Sequence, residues 1–379
     1  MVAPGAGASA LIPSAVMSDD ATAEPSTGRL VLVTGAGRSG TSTIAGALHH
    51  LGLHVPLPVM KPNESNPLGF FESTWPVRFH RRIMERAFVE QTDGRPEAQQ
   101  LMADAVDDAT RAELRTWLAD VALVEPQVVV KDPRSVWLPW LWKEEAGELG
   151  YRVGFLTMLR HPAEVLGSRS TYYRGYRPGM TDWQFSVMNL CGWVNGTLVV
   201  ERQTRAEPRV VLRYHDLLDD WRSCLAGVRD TFDLTLGDDL DPGHHHEVDD
   251  FIDPGLRRHE PSWEGWDLPP ELVAIAQDVY DAMSRLADAG GHDPQAEEAL
   301  DAAGERYEAL VRVSQAIAHD TALARGKSMT AGLAAQLEAT QEQVRRLEAR
   351  PDVPPPLPGR AYRRLVHRVR ARLDPRHGG

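Results

Sequence analysis

Short apolar runs alternate along the chain with longer segments in which apolar residues recur at helical spacing. The runs cover Leu30 to Val33, Val128 to Lys131, Val153 to Leu159 and Val210 to Tyr214. A continuous apolar run of this length is typical of a strand that is buried on both faces. Strands that alternate with helices favour a parallel sheet between helical layers, with ligands bound outside the carboxyl ends of the strands. The pattern therefore predicts an α/β fold with a central parallel sheet flanked by helices.

Residues 77–119 and 181–204 are intervening segments with helical spacing. We expect helical insertions of this kind to form a cleft beside the sheet. Aromatic residues in and near them are candidates to stack on sugar or aromatic groups, and about a third should reach the cleft while the rest pack in the core. These candidates are Trp137, Trp140, Trp142, Tyr172, Tyr173, Tyr176 and Trp183.

The first apolar run leads into a glycine-rich turn and then into a helical pattern that extends to Leu51. Gly35, Gly37 and Gly40 let the backbone approach an anion closely, with the amides of the turn and of the helix N-terminus pointing at it. This strand–turn–helix arrangement predicts a phosphate-binding loop.

The turn is close to a Walker A loop but lacks its lysine. Thr41 stands before Ser42, where the lysine would be, and the cation of the turn is Arg38. An enzyme of nucleoside triphosphates would lose its contact with the β- and γ-phosphates by this change. An enzyme whose cation contacts a different oxyanion would lose no contact by this change.

A second anion site is predicted at the end of the third apolar run. Arg160 closes that strand, Pro162 begins a helix, and Ser168 follows on the helix. The planar guanidinium offers several donors to a phosphate, and a serine hydroxyl from the adjoining helix completes the set. Two anion sites in this order in one chain argue against a coincidence.

The motif of Arg38 followed by Ser39, Gly40, Thr41 and Ser42 resembles the phosphosulfate-binding loop of the sulfotransferases that use 3'-phosphoadenosine 5'-phosphosulfate (PAPS). The pair Arg160 and Ser168 resembles the element with which these enzymes hold the 3'-phosphate. The resemblance covers residues 29–298 and is closest to the bacterial branch, which is akin to the domains that sulfate heparan chains. It implies a P-loop-like fold. The cofactor-binding residues that it implies are Gly37, Arg38, Ser39, Gly40, Thr41, Ser42, Arg160, Ser168, Tyr214, Arg257 and Arg258.

Two of these positions come from later parts of the family pattern. Tyr214 lies in a segment similar to the Tyr-Glu-Asp-Leu stretch, whose tyrosine packs near the adenine, although His215 replaces the usual acid. The pair Arg257 and Arg258 resembles the late basic element that reaches the 3'-phosphate. The Gly-x-x-Gly-x-x-Lys end of the cytosolic branch is absent.

The resemblance also implies the catalytic residues Glu72, Lys131 and Arg38. In the family a lysine at such a strand tip lies beside the sulfuryl group, and Arg38 and Lys131 would flank the bond that breaks. Cytosolic relatives place their catalytic histidine where this chain has Pro133. Glu72 matches the glutamate base of glycan sulfotransferases, and Asp132 is the reserve candidate. A carboxylate within hydrogen-bond reach takes the proton of the acceptor hydroxyl.

Composition excludes some partners. The 379 residues carry a net charge of −13, which argues against a nucleic-acid-binding protein. Cys191 and Cys224 are too few for a disulfide framework, and no apolar run is long enough to span a membrane, so we expect a cytoplasmic protein. The adjacent histidines 244–246 cannot all face one ion, and no metal is predicted.

The chain divides into five predicted parts. Residues 1–28 form a disordered leader, 29–298 the sulfotransferase domain and 299–350 a helical, coiled-coil-like extension. Residues 351–358 are a proline-rich spacer, and 359–379 form a basic amphipathic tail with seven arginines and one aspartate. The tail suits either peripheral contact with an anionic membrane or a docking or solvated role. Self-association of the chain stays open.

The sequence therefore predicts transfer of a sulfuryl group from PAPS, without a metal, to a hydroxyl of a carbohydrate, a glycolipid or another small molecule. One alternative is a small-molecule kinase with a P-loop, against which Arg38 and the second anion site argue. The other is a non-catalytic adaptor with a vestigial nucleotide fold.

Overall fold

A computed structural model describes residues 28–64, 66–176, 179–237, 240–253, 255 and 261–348. The predicted leader up to residue 27, the pair Arg257 and Arg258, the proline-rich spacer and the basic tail lie outside the described residues. The chain forms two units, Met1–Val311 and Arg312–Gly379. Every residue of the candidate site described below belongs to the first unit.

Four strands form one parallel sheet. They are β1 (Arg29–Thr34), β2 (Gln127–Lys131), β3 (Arg152–Leu159) and β4 (Arg209–Arg213). Their order across the sheet is β2-β1-β3-β4. All pairs are parallel, so the four carboxyl ends lie along one edge.

Helices occupy most of the remaining described chain. They are α1 (Thr41–His50), α2 (Thr74–Ala87), α3 (Ala98–Asp104), α4 (Asp108–Ala122), α5 (Pro139–Glu148), α6 (Pro162–Tyr173), α7 (Asp182–Thr204), α8 (Tyr214–Asp219), α9 (Trp221–Phe232), α10 (Glu247–Phe251), α11 (Pro270–Asp288) and α12 (Pro294–Glu348). Short 3-10 turns span Pro133–Trp137 and Arg174–Tyr176.

Both faces of the sheet are buried, which explains the continuous apolar runs. Successive side chains of a strand point to opposite faces. Leu30 and Leu32 of β1 pack in a core with α2 to α5, whereas Val31 and Val33 pack in a second core with α1, α8, α9 and α10. The predicted parallel sheet with helices on both faces is confirmed, and the turn between β1 and α1 gives it its P-loop-like character.

The last helix begins earlier than the predicted extension. Helix α12 begins at Pro294, and its residues Leu300, Ala303 and Tyr307 are buried in a third core with α6, α7 and α11. The Tyr307 hydroxyl donates hydrogen bonds to the carbonyls of Gly94 and Cys191. The first compact unit therefore includes this part of α12 and extends to Val311.

In the second unit, α12 continues from Arg312 to Glu348 with exposed apolar side chains that include Ile317, Leu333 and Leu337. The described part of the chain contains no helix that is both long and apolar enough to cross a membrane.

Candidate active site

A cavity of about 520 Å³ opens at the carboxyl ends of the strands. Its volume lies within the range of about 300–1,000 Å³ that is usual for ligand pockets, and its place is where open parallel sheets bind ligands. The sequence-predicted residues that line it are Gly37, Arg38, Gly40, Thr41, Ser42, Glu72, Lys131, Arg160, Ser168 and Tyr214. Ser39 does not line the cavity. Its hydroxyl is buried and has no hydrogen-bond partner in the described structure.

The glycine-rich turn is shaped by close backbone approaches. Gly35 has φ +115°, and a Cβ there would lie 2.5 Å from the carbonyl oxygen of Met158 on β3. Arg38 also has a positive φ, 78°, which is uncommon for a residue with a side chain. At the start of α1, Gly40 provides no side-chain cap, so the first-turn amides remain available to an anion.

Arg38 and Arg160 lie close together in the cavity wall. The Arg38 Nε donates to Ser168 Oγ at 2.9 Å, and its guanidinium lies over the ring of Tyr172 at 4.5 Å from the centroid. Arg160 Nη1 donates to the carbonyl of Arg38 at 3.3 Å, and the same guanidinium contacts Glu164. The structure therefore brings together the two anion sites that the sequence predicts on separate strands.

Tyr214 closes this side of the cavity. The sequence predicts Tyr214 as the last residue of β4, but it is the first residue of α8. Its side chain is buried. The Arg160 guanidinium lies over its ring at 4.8 Å. Burial raises the pKa of the Tyr214 phenol, so the ring is neutral at physiological pH. A neutral aromatic face beside two cations can contact a base while the cations contact its phosphates.

Glu72 and Lys131 form an ion pair at the other side of the cavity. Lys131 is the last residue of β2, and its Nζ lies 2.5 Å from Glu72 Oε1 and 3.1 Å from Ser42 Oγ. Asn66 donates a 3.0 Å hydrogen bond to the same serine hydroxyl. The ammonium group of Lys131 thus joins the N-terminus of α1 to a buried carboxylate.

Asp132 is not placed to act as the reserve base. Its carboxylate is fully buried, with Oδ2 accepting from His80 Nδ1 at 2.7 Å and Oδ1 accepting from Arg134 Nη1 at 2.7 Å. Burial alone would raise the pKa of Asp132, but the His80 hydrogen bond and the charge of Arg134 outweigh it and lower the pKa well below its usual range. Because both oxygens are engaged and Asp132 does not line the cavity, whereas Glu72 does, the geometry favours Glu72.

The cavity contains two arginines that the sequence prediction missed. Arg134 follows Lys131 by three residues, and Arg169 follows Ser168 directly. Arg169 donates to the side chains of Asn189 and Thr92. Five cationic side chains therefore line the cavity against the three carboxylates of residues 64, 72 and 90, in a chain that is acidic overall. The proximity of both arginines to predicted site residues was the signal in the sequence.

Two of the aromatic candidates line the cavity, namely Tyr172 and Tyr173. Trp137 and Trp142 are fully buried in the core, and Trp183 is half-exposed on α7 outside the wall. Trp140 lies under the guanidinium of Arg111. These positions agree with the expectation that most of the aromatic residues serve packing.

His215 and the histidines at positions 244–246 do not line the cavity. His215 contacts Asp216 outside the cavity wall, and His246 caps α10 through its Nδ1. Within the described ranges, no group of three or more His, Cys, Asp or Glu side chains is placed to hold a metal ion.

No protein-family model matches the sequence, and no curated protein matches it. Among solved structures, the chain is similar to the sulfotransferase domain from the Synechococcus PCC 7002 olefin synthase, with 16% identity, a TM-score of 0.39, and coverage of 70% of this chain and 95% of that domain. A sulfotransferase domain from the curacin biosynthetic pathway has 16% identity and a TM-score of 0.38, with coverage of 66% and 97%. Sulfotransferase STF1 from Mycobacterium tuberculosis has the same identity and TM-score, with coverage of 66% and 76%. These likenesses are distant, and the function has to be inferred from the site itself.

Proposed function

We propose that this chain is a sulfotransferase that transfers a sulfuryl group from PAPS to a hydroxyl acceptor. The observation that carries the proposal is the meeting of two anion sites in one cavity. The α1 N-terminus with Lys131 and Ser42 forms one site, and Arg160 with Ser168 forms the other. A nucleotide with a 5'-phosphosulfate and a separate 3'-phosphate has the two anionic groups that this arrangement suits.

The chain's own geometry fits such a ligand. The uncapped amides of α1 suit the 5' group, and the glycines at positions 37 and 40 leave the cavity wall open at that end. The guanidinium of Arg160 and the hydroxyl of Ser168 suit the 3'-phosphate. The ring of Tyr214 suits an adenine near both. When bound, PAPS supplies a sulfuryl group attached to a phosphate that leaves readily.

The residues on the β2 side suit the chemistry. The Glu72 carboxylate accepts the proton of the acceptor hydroxyl, as a general base. The Lys131 ammonium and the Ser42 hydroxyl, which lie 3.1 Å apart, donate to negative charge that develops on oxygen. Arg38 adds a cation from the turn. Before the reaction, the Lys131 ammonium is paired with the Glu72 carboxylate. When Glu72 takes up the proton, this ammonium becomes available to interact with the negative charge that develops on oxygen.

We expect the acceptor to be a carbohydrate, a glycolipid or another small molecule, because Tyr172 and Tyr173 offer aromatic faces in the cavity.

We also propose that the basic tail contacts anionic lipid, since arginines near such a surface contribute about 1 kcal/mol each. Removal of residues 360–379 should abolish cosedimentation with anionic vesicles at low salt and leave sulfation of a soluble acceptor unchanged. Intact protein that stays in the supernatant would assign the tail a docking or solvated role.

The proposal is tested by calorimetry with 3'-phosphoadenosine 5'-phosphate (PAP), ATP and AMP, followed by transfer from labelled PAPS to glycans and lipids. We expect PAP to bind much more tightly than AMP, because Arg160 and Ser168 contact the 3'-phosphate. Equal affinity for PAP and AMP would contradict the assignment. Phosphate transfer from ATP would establish the rival, a P-loop kinase in which Lys131 replaces the missing lysine.

A further inference from the structure

Arg134 lines the cavity and has hydrogen-bond donors that the described structure does not use. It belongs to the 3-10 turn Pro133–Trp137, directly after β2, and its side chain is 17% exposed. Its Nη1 donates to Asp132 Oδ1, and the residue lines the cavity wall. In the described structure, its Nε and Nη2 have no hydrogen-bond acceptor. A largely buried guanidinium with two donor positions available is a binding group for an anion.

A buried chain of hydrogen bonds fixes the orientation of Arg134. Trp142 Nε1 donates to His80 Nε2 at 2.9 Å. Because an indole nitrogen only donates, His80 Nε2 must accept, and the ring proton resides on Nδ1. That proton is donated to Asp132 Oδ2, and the other oxygen of the carboxylate accepts from Arg134. His80, Asp132 and Trp142 are all fully buried, which leaves this arrangement little freedom.

The strand order places Arg134 on the acceptor side of the reaction. From β4 to β2 the cavity presents Tyr214, then Arg160, then the glycine-rich turn, and finally Lys131 and Arg134. The first three groups suit the nucleotide. In an in-line transfer the attacking oxygen and the leaving oxygen lie on opposite sides of the reacting atom. A residue beyond Lys131 therefore faces the acceptor rather than the nucleotide.

Asp132 balances the charge of Arg134 but accepts from only one of its side-chain nitrogens. Glu72 is compensated by Lys131. Gln91 and Thr92, which also line the cavity, are neutral, and Arg169 adds another cation. Glu64 is exposed, and Glu90 is largely exposed on the loop after α2. The remaining donors of Arg134 and the cation of Arg169 therefore suit a negatively charged ligand group.

We propose that Arg134 binds an anionic group of the acceptor, and that Asp132 and His80 are its positioning residues. The acceptor is then a hydroxyl compound that also bears a carboxylate, sulfate or phosphate group. This inference rests on the proposed function, since it assumes that the nucleotide occupies the β3–β4 side of the cavity.

The test uses full-length protein saturated with PAP and titrated with inorganic sulfate in a buffer of low ionic strength. We expect sulfate to bind the wild-type protein, and Arg134→Gln to weaken that binding by about tenfold or more, the size of a lost charge-assisted contact. Arg134→Lys should recover part of the affinity. Arg82→Gln, which removes an exposed arginine of α2, is the matched control and should bind sulfate as the wild type does.

The positioning role has its own readout. Asp132→Asn and His80→Gln should weaken sulfate binding while PAP affinity stays unchanged, which a general loss of structure would not produce. Arg134→Gln protein that binds sulfate as tightly as the wild type would overturn the inference, as would wild-type protein with PAP bound that takes up no sulfate. Failure of the wild-type protein to bind PAP would instead contradict the proposed function and remove the ground of the inference with it.

Discussion

The two sides of the cavity hold their cations in different ways. On the β3–β4 side, Arg38 contacts the hydroxyl of Ser168 and the ring of Tyr172, and Arg160 contacts a backbone carbonyl and the ring of Tyr214. The Ser168 hydroxyl and the Tyr172 ring orient Arg38 without cancelling its charge, whereas Arg160 is also paired with the buried Glu164. On the β2 side, Lys131 is paired with Glu72 and Arg134 with Asp132.

This difference corresponds to two tasks. The β3–β4 side has two arginines against the single carboxylate of Glu164, so it retains net positive charge and suits an anion that stays bound throughout a reaction. A side whose cations face carboxylates is balanced at rest, and its charge changes when one carboxylate takes up a proton. The β3–β4 side is therefore expected to govern nucleotide affinity, and the β2 side turnover and acceptor choice.

The largest effect should follow from Glu72→Gln, which keeps the shape of the side chain but removes its capacity to accept a proton. We expect turnover to fall by about 10²–10⁴-fold, the usual contribution of a general base. PAP affinity, measured by calorimetry, should stay the same because Glu72 lies on the β2 side. Glu125→Gln is the control, since Glu125 is exposed ahead of β2. Normal turnover in Glu72→Gln would move the base to a group of the acceptor itself.

Asp132→Asn should lower the free energy of unfolding, because it removes the carboxylate that is paired with Arg134. The substitution leaves Arg134 largely buried without its carboxylate, and removing one partner of a buried pair costs about 3–5 kcal/mol in the free energy of unfolding. Urea denaturation at neutral pH measures this loss.

The same substitution makes a pH prediction. The folded-state pKa of Asp132 is depressed, so its stabilisation is present above the unfolded pKa of about 3.9 and is lost as pH falls toward the lower folded value. The difference in stability between wild type and Asp132→Asn should therefore be constant from about pH 5 to 8 and narrow below about pH 4. A difference that is already lost above about pH 5 would contradict a depressed pKa of Asp132.

The smallest of these effects should follow from Arg160→Ala on the β3–β4 side. We expect PAP affinity to fall by about 1.5–3 kcal/mol, the scale of a hydrogen bond to a charged group, while AMP affinity changes little. Arg152→Ala is the matched control, because Arg152 is exposed at the opposite end of the same strand. Equal losses for PAP and AMP would show that Arg160 does not contact the 3'-phosphate.

Local sequence signals predicted the strands and most of the cavity wall. The glycine-rich turn, Arg160 and Lys131 each follow an apolar run directly, so their place at the carboxyl edge follows from strand direction alone. The sequence could not predict the state of Asp132, because that depends on His80 in α2 and Trp142 in α5, which are distant along the chain. Arg134 was missed for the same reason. Its orientation is set by that buried chain rather than by a motif.

Gly40 and Tyr214 constrain one another. A Cβ at position 40 would lie 2.2 Å from Cδ2 of the tyrosine ring, and the backbone there has φ +90°. A side chain at position 40 could be accommodated only if the ring at position 214 became smaller or moved, which would remove the face under Arg160. In relatives of this chain the two positions should therefore covary, with glycine retained wherever the aromatic ring is. Directed evolution that starts from Gly40→Ala should recover function first through substitutions at position 214.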